Sequence, residues 1–177
     1  MPSKLARSIV IHLIAVASVG WLGSTTAAQV RTEKWHLIRL QDPRARHATI
    51  RAIEAAAARL ENDDCRKVLT DFRTGNGATL ADQLSSLNVD IPTYFAMITF
   101  VDESRDRLCS SGVLLFTSPG SRVVRVCGDE LKRISAQRPQ YIVASVIHEI
   151  LHTLGLGETP PSPGEITARV VARCGLK

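Results

Sequence analysis

The sequence predicts an α+β fold in which a small antiparallel or mixed sheet, including one hairpin, packs on a single central helix. Three observations predict it. Residues 140–154 carry Ile142, Val143, Val146, Ile147, Ile150, Leu151 and Leu154, enough apolar surface to bury a helix on most sides. Residues 112–117 and 122–127 are rich in β-formers and flank Ser118-Pro119-Gly120-Ser121, which reads as strand, turn, strand. A long alanine-rich helix and several short helical segments stand between the strands.

In chain order, residues 1–28 have the layout of an export signal. Lys4 and Arg7 form the positive start, residues 8–22 are nearly free of polar groups, and Ser24-Thr25-Thr26-Ala27-Ala28 supplies the small residues before a cut after Ala28. The apolar run is short for a membrane span, which favours a cleaved signal over an anchor. Residues 29–177 are then expected to form one domain. Residues 35–40 are bulky and partly alternating, a first strand. Asp42-Pro43 supplies an N-cap and a proline at the first helical position, and Ile50, Ile53, Ala57 and Leu60 carry a helix over about 43–61. Asp63 or Asp64 caps a short helix bearing Cys65, Val68, Leu69 and Phe72, and Gly75-Asn76-Gly77 ends it. Thr79 caps another, with Leu80, Leu84 and Leu87 as its stripe. The segment from Tyr94 to Val101 turns β-rich, with residues 98–101 extended; Pro92 could begin a helical turn just before it. After the hairpin, Pro139 opens the apolar helix and Gly155 stops it. Pro160 and Pro161 stiffen a link, and Ser162-Pro163-Gly164-Glu165 opens the last helix toward Cys174.

Four cysteines follow the proposed cut, an even number in an exported chain, so two disulfides are expected. Cys109 and Cys127 flank the hairpin and are natural partners, which leaves Cys65 with Cys174. No pair has the CxxC spacing of a zinc site. The net charge of +5 includes Lys4 and Arg7, leaving the mature part mildly basic. Arg44, Arg46 and Arg51 lie among alanines of the long helix and read as a solvated face. With 5% aromatic residues, a base-stacking surface is not expected, and neither nucleic acid nor a membrane beyond the signal is an expected partner. The compartment expected is secreted or periplasmic.

The chemistry concentrates in His148-Glu149-Ile150-Leu151-His152 and the run Thr153 to Glu158 that follows. Four residues apart on a helix, His148 and His152 share one face, where both imidazoles can reach one zinc ion with Glu149 beside it as general base. Three polar groups in so apolar a helix would each need a partner if no metal were present. Glu158 and Glu165 are the candidates for a third ligand, with Glu158 preferred. Glu165 already has a role, because Ser162 and Glu165 are spaced as a capping box. His36 and His47 read as ordinary strand and surface histidines.

The run HEILHTLGLGE resembles the zincin metallopeptidases, and within them the metzincin pattern HExxHxxGxxH, with Glu158 at the third-ligand position. The resemblance implies one zinc ion held by His148, His152 and Glu158, a turn at Gly155 that returns the third ligand, and a sheet whose edge strand holds the substrate. Two departures stand out: a glutamate replaces the usual histidine or aspartate, and no methionine follows it to form a Met-turn. The chain also resembles small bacterial exported proteins carrying the same motif. The function expected is an exported endopeptidase that hydrolyses peptide bonds with zinc-activated water and Glu149 as base, acting on a peptide or protein substrate. The alternative is a non-catalytic metal-stabilised binding domain of the cell envelope. It is motivated by small size, which leaves little room for a deep cleft, and by the lack of an oxyanion donor: no His or Tyr follows His152. Tyr141 lies on the same side as His148 but reads as core, while Arg169 and Arg173 are candidate electrostatic helpers or simply solvated.

Overall fold

The computed structural model describes residues 37–176, so the proposed signal peptide, Trp35 and His36 lie outside the described residues. Strand β1 (Ile38–Arg39) leads to helix α1 (Pro43–Glu61), and then come α2 (Asp63–Arg66), α3 (Val68–Asp71), α4 (Leu80–Ser86) and α5 (Ile91–Ala96). Strand β2 (Thr99–Asp102), a 3-10 turn (Arg107–Ser111), β3 (Leu115–Phe116) and β4 (Val123–Val126) follow. Helices α6 (Gly128–Ile134), α7 (Pro139–Thr153) and α8 (Pro163–Cys174) complete the order. The fold is mixed α+β, as expected.

The sheet order is β1-β2-β4-β3. β1, β2 and β4 are parallel, and only β3 runs antiparallel, paired to β4 with Leu115 opposite Val126 and Phe116 opposite Arg125. The expected hairpin is therefore present, and its first strand is the edge of the sheet. One face of the sheet, carrying Ile38, Phe100, Leu115, Val124 and Val126, is buried. Helix α7 packs against α1, α8 and β3. Its Val146, Ile147, Ile150 and Leu151 are at most 1% exposed, which explains why a helix this apolar is stable only in the middle of the chain's core.

Local chemistry sets the ends of these elements. Asp42 Oδ1 accepts from the backbone N–H groups of Arg44 and Ala45, both at 2.8 Å, and fixes the start of α1. Thr79 with Asp82, and Ser162 with Glu165, form reciprocal capping boxes. Both expected disulfides are present: Cys65–Cys174 ties α2 to the end of α8, and Cys109–Cys127 ties the 3-10 turn to the end of β4.

Sequence expectations need correction at several points, beginning with the cap of α2, which is Asn62 rather than Asp63 or Asp64. Tyr94 is not in a β segment but in the last turn of α5, where Asp90 caps a helix with proline in its first turn, and strand pairing begins only at Thr99. Helix α6 was not expected; it has no side-chain N-cap, and only Leu131 and Ile134 make its apolar stripe. Tyr141 is not core. It is 38% exposed on an uncovered side of α7, whereas its neighbours Ile142, Val143 and Ala144 are buried.

Candidate metal centre

Helix α7 delivers His148 and His152 one turn apart, both buried, with their Nε2 atoms 2.9 Å from each other. The helix ends at Leu154, and Gly155 takes φ +101°, a left-handed conformation that reverses the chain at little cost only without a Cβ. The reversal is secured from both sides. Gly155 N–H donates to the His152 carbonyl at 2.8 Å, Leu156 N–H donates to Leu151 at 3.2 Å, and the Leu156 side chain is fully buried.

This turn has two consequences. It brings Glu158 back, so that its Oε1 lies 3.1 Å from His152 Nε2 and 3.6 Å from His148 Nε2. It also places the Leu156 carbonyl 2.7 Å from His152 Nδ1. A carbonyl only accepts, so His152 carries its proton on Nδ1 and presents a lone pair at Nε2. His148 Nδ1 is held by the Thr167 hydroxyl of α8 at 2.9 Å.

These residues fit a metal ion. His148, His152 and Glu158 offer ligand atoms that all lie within 4.8 Å of one another. The separations of 2.9, 3.1 and 3.6 Å bracket the roughly 3.3 Å that tetrahedral bonds of about 2.0–2.1 Å impose between ligands. Burial and the neighbouring His152 lower the His148 pKa to about 4, so its ring is neutral at ordinary pH, as a ligand must be. Neutral nitrogens and a carboxylate oxygen facing one another at such range are stable together only around a cation. A proton can serve, and so can a metal. A His2Glu set suits zinc, although the donors alone do not fix the ion's identity.

Glu149 is the next residue of α7 and is 7% exposed. Burial first, and then the Glu158 charge, push its pKa up to about 8, opposed by the Thr117 backbone N–H that donates to its carboxylate. Thr117 directly follows β3, so the edge strand and the metal triad share one wall. The triad and Glu149 open on a cleft of about 860 Å³ between α7, β3 and the 3-10 turn. The cleft is wide and open to solvent.

Not every candidate arrives there. Glu165 stays at the start of α8, its carboxylate accepting from the Ser162 N–H and hydroxyl at 2.8 and 2.7 Å. Arg173 makes two bonds to Asp71 at 2.7 and 2.9 Å, and Arg169 Nη1 lies 3.4 Å from the same carboxylate. Both arginines therefore point at α3, not at the histidines. His47 lies on α1, away from the triad, and His36 is outside the described residues. Sequence reasoning missed Thr167, Leu156 and Thr117. None had a local signal, because each contributes only once α8 and β3 pack against α7.

Two disulfides fit an oxidising compartment. Among the described residues no helix is long and apolar enough to cross a membrane. No family model matches the chain, and its comparison with curated proteins and with solved structures gives no significant match, so the chemistry of the site rests on its own geometry.

Proposed function

We propose that the chain is an exported, zinc-dependent endopeptidase with a zincin-like core. One observation carries the reading: His148, His152 and Glu158 converge at ligand distances beside a buried Glu149, in an open cleft bordered by an antiparallel edge strand. Bound zinc supplies Lewis acidity, lowering the pKa of water and polarising a scissile carbonyl.

The chain's own groups supply the rest. The Glu149 carboxylate, held by Thr117 N–H, accepts the proton of the attacking water and returns it to the leaving nitrogen. The unpaired side of β3 can hold a peptide in extended form by main-chain hydrogen bonds. Thr167 and the Leu156 carbonyl keep the two imidazoles oriented.

Protein purified with both disulfides formed should hold one zinc per chain by atomic absorption, and replacing both His148 and His152 by alanine should remove it. Glu149→Gln should keep the zinc and lose hydrolysis at least 100-fold, by analogy with the roughly 10²–10⁴-fold worth of a positioned acid–base group. Equal peptidase activity in wild type and Glu149→Gln would overturn the mechanism. The engagement of Arg169 and Arg173 with Asp71 leaves no arginine of α8 as an oxyanion donor, which favours the second reading, a metal-stabilised binding domain. That domain would fold with zinc yet turn over no peptide.

A further inference from the structure

Large apolar side chains are rarely exposed among the described residues; Leu87, Leu108, Val123 and Tyr141 are the ones that are. Two of these four, Leu108 at 47% and Tyr141 at 38%, line the cleft that holds the metal triad. They come from separate elements, the 3-10 turn and the first turn of α7. The Arg138 guanidinium lies 4.5 Å over the Tyr141 ring and holds it in place. Between Tyr141 and His148 on the same helix face stands Ser145, whose hydroxyl folds back on the Tyr141 carbonyl at 2.9 Å. That small residue keeps the cleft open between the apolar end and the triad.

The direction of the cleft follows from two contacts. Thr117, just after β3, donates to Glu149, and Gly120 N–H in the hairpin turn donates to the His152 carbonyl at 2.8 Å. The far end of β3 thus lies at the His152 end of α7, and Leu108, which precedes β3, lies toward Tyr141. Strand and helix run the same way. A peptide added to β3 in the more stable antiparallel sense must then run from the His152 end toward Tyr141. Tyr141 precedes His148 by seven residues, about 10 Å along the helix, and an extended peptide covers that in about three residues.

We infer that Leu108 and Tyr141 form an apolar subsite selecting substrates with a bulky hydrophobic side chain two or three residues C-terminal to the cleaved bond. The inference rests on the peptidase reading and narrows its substrate class to apolar segments of peptides or unfolded proteins. Burying one Leu or Phe side chain there raises affinity about ten-fold or more over serine.

The test uses ten-residue Gly/Ser peptides with a single Leu or Phe placed at each position in turn. With the zinc-loaded protein, mass spectrometry should find cleavage two or three residues before the Leu or Phe, moving with it, at about ten-fold higher kcat/KM than for the all-Gly/Ser peptide. Cleavage that ignores the walked residue overturns the subsite while leaving the peptidase intact. No cleavage of any peptide overturns the peptidase reading, and binding then decides the subsite. By calorimetry the Glu149→Gln protein should bind Leu and Phe peptides about ten-fold tighter than the Gly/Ser peptide; equal binding overturns the inference. In either readout Tyr141→Ala and Leu108→Ser should each cut the Leu and Phe preference at least about three-fold. Each variant changes an exposed side chain, so a folding defect in one leaves the other as the test, and a preference unchanged in both overturns the assignment.

Discussion

Gly155 is the residue on which the candidate centre turns. At φ +101° any side chain is strained, and a Cβ there would stand 3.2 Å from Thr74 Cγ2. Gly155→Ala should therefore lower thermal stability by about 1–3 kcal/mol and displace both features that the turn delivers, the Glu158 carboxylate and the Leu156 carbonyl on His152. Zinc affinity, measured by chelator competition, should fall at least ten-fold. Unchanged affinity would mean that Glu158 does not need this turn. Thr167→Val removes only the partner of His148 Nδ1 and keeps the side-chain shape. It should weaken zinc by about 10–100-fold, the usual range for a group that orients a metal ligand, with little change in the fold. The sequence made the two histidines, Glu149 and the role of the glycine legible, because helical spacing and a stop signal are local. It could not show Thr167, Leu156 or Thr117, whose contributions exist only once α8 and β3 are packed against α7.

At the scale of elements, α8 must stay docked for Thr167 to reach His148, and a charged pair on its far side helps to hold it. Asp71 on α3 is 13% exposed in its side chain and accepts two bonds from Arg173, with Arg169 farther off at 3.4 Å. These contacts, Arg173 above all, lower the Asp71 pKa against the opposing effect of burial. The sign follows: the ionised carboxylate is favoured in the folded state, so the stabilisation is full above the unfolded carboxylate pKa of about 3.9 and disappears as pH falls through the lower folded value. Asp71→Asn should cost about 2 kcal/mol in urea unfolding at pH 7. The gap from wild type should shrink as pH drops below about 4, and a gap that stays constant with pH would refute the assignment. The two capping boxes and the Asp42-Pro43 start of α1 were readable because each cap is made within four residues. Helix α6 was not, since it lacks such a cap, and Tyr141 was misread because burial depends on which side of α7 its neighbours cover.

Across the whole molecule, the two disulfides divide the work between chain closure and the cleft. Cys65–Cys174 spans 109 residues and Cys109–Cys127 spans 18, so the first removes more freedom from the unfolded chain. Chain-entropy scaling puts the two at roughly 4.7 and 3 kcal/mol. Both pairings were legible from position alone, since one pair brackets the hairpin and the other is what remains. The sheet order was not legible, because it depends on where the long α1 to α5 crossover places β1 and β2 relative to the hairpin. That order gives the bridges different meanings. Cys109 belongs to the 3-10 turn that carries Leu108 and Ser111 on the cleft wall, and its bridge pins that wall to the end of β4. The double variant Cys65→Ala/Cys174→Ala should therefore lose about 1–2 kcal/mol more stability in urea than Cys109→Ala/Cys127→Ala. Zinc binding should survive in the second variant, because the triad sits on α7 and the loop that follows it, whereas the discrimination between Leu and Ser peptides should fall with the loosened wall. Equal loss of zinc and of discrimination in that variant would show that the wall and the triad unfold together, and that the cleft is one cooperative unit.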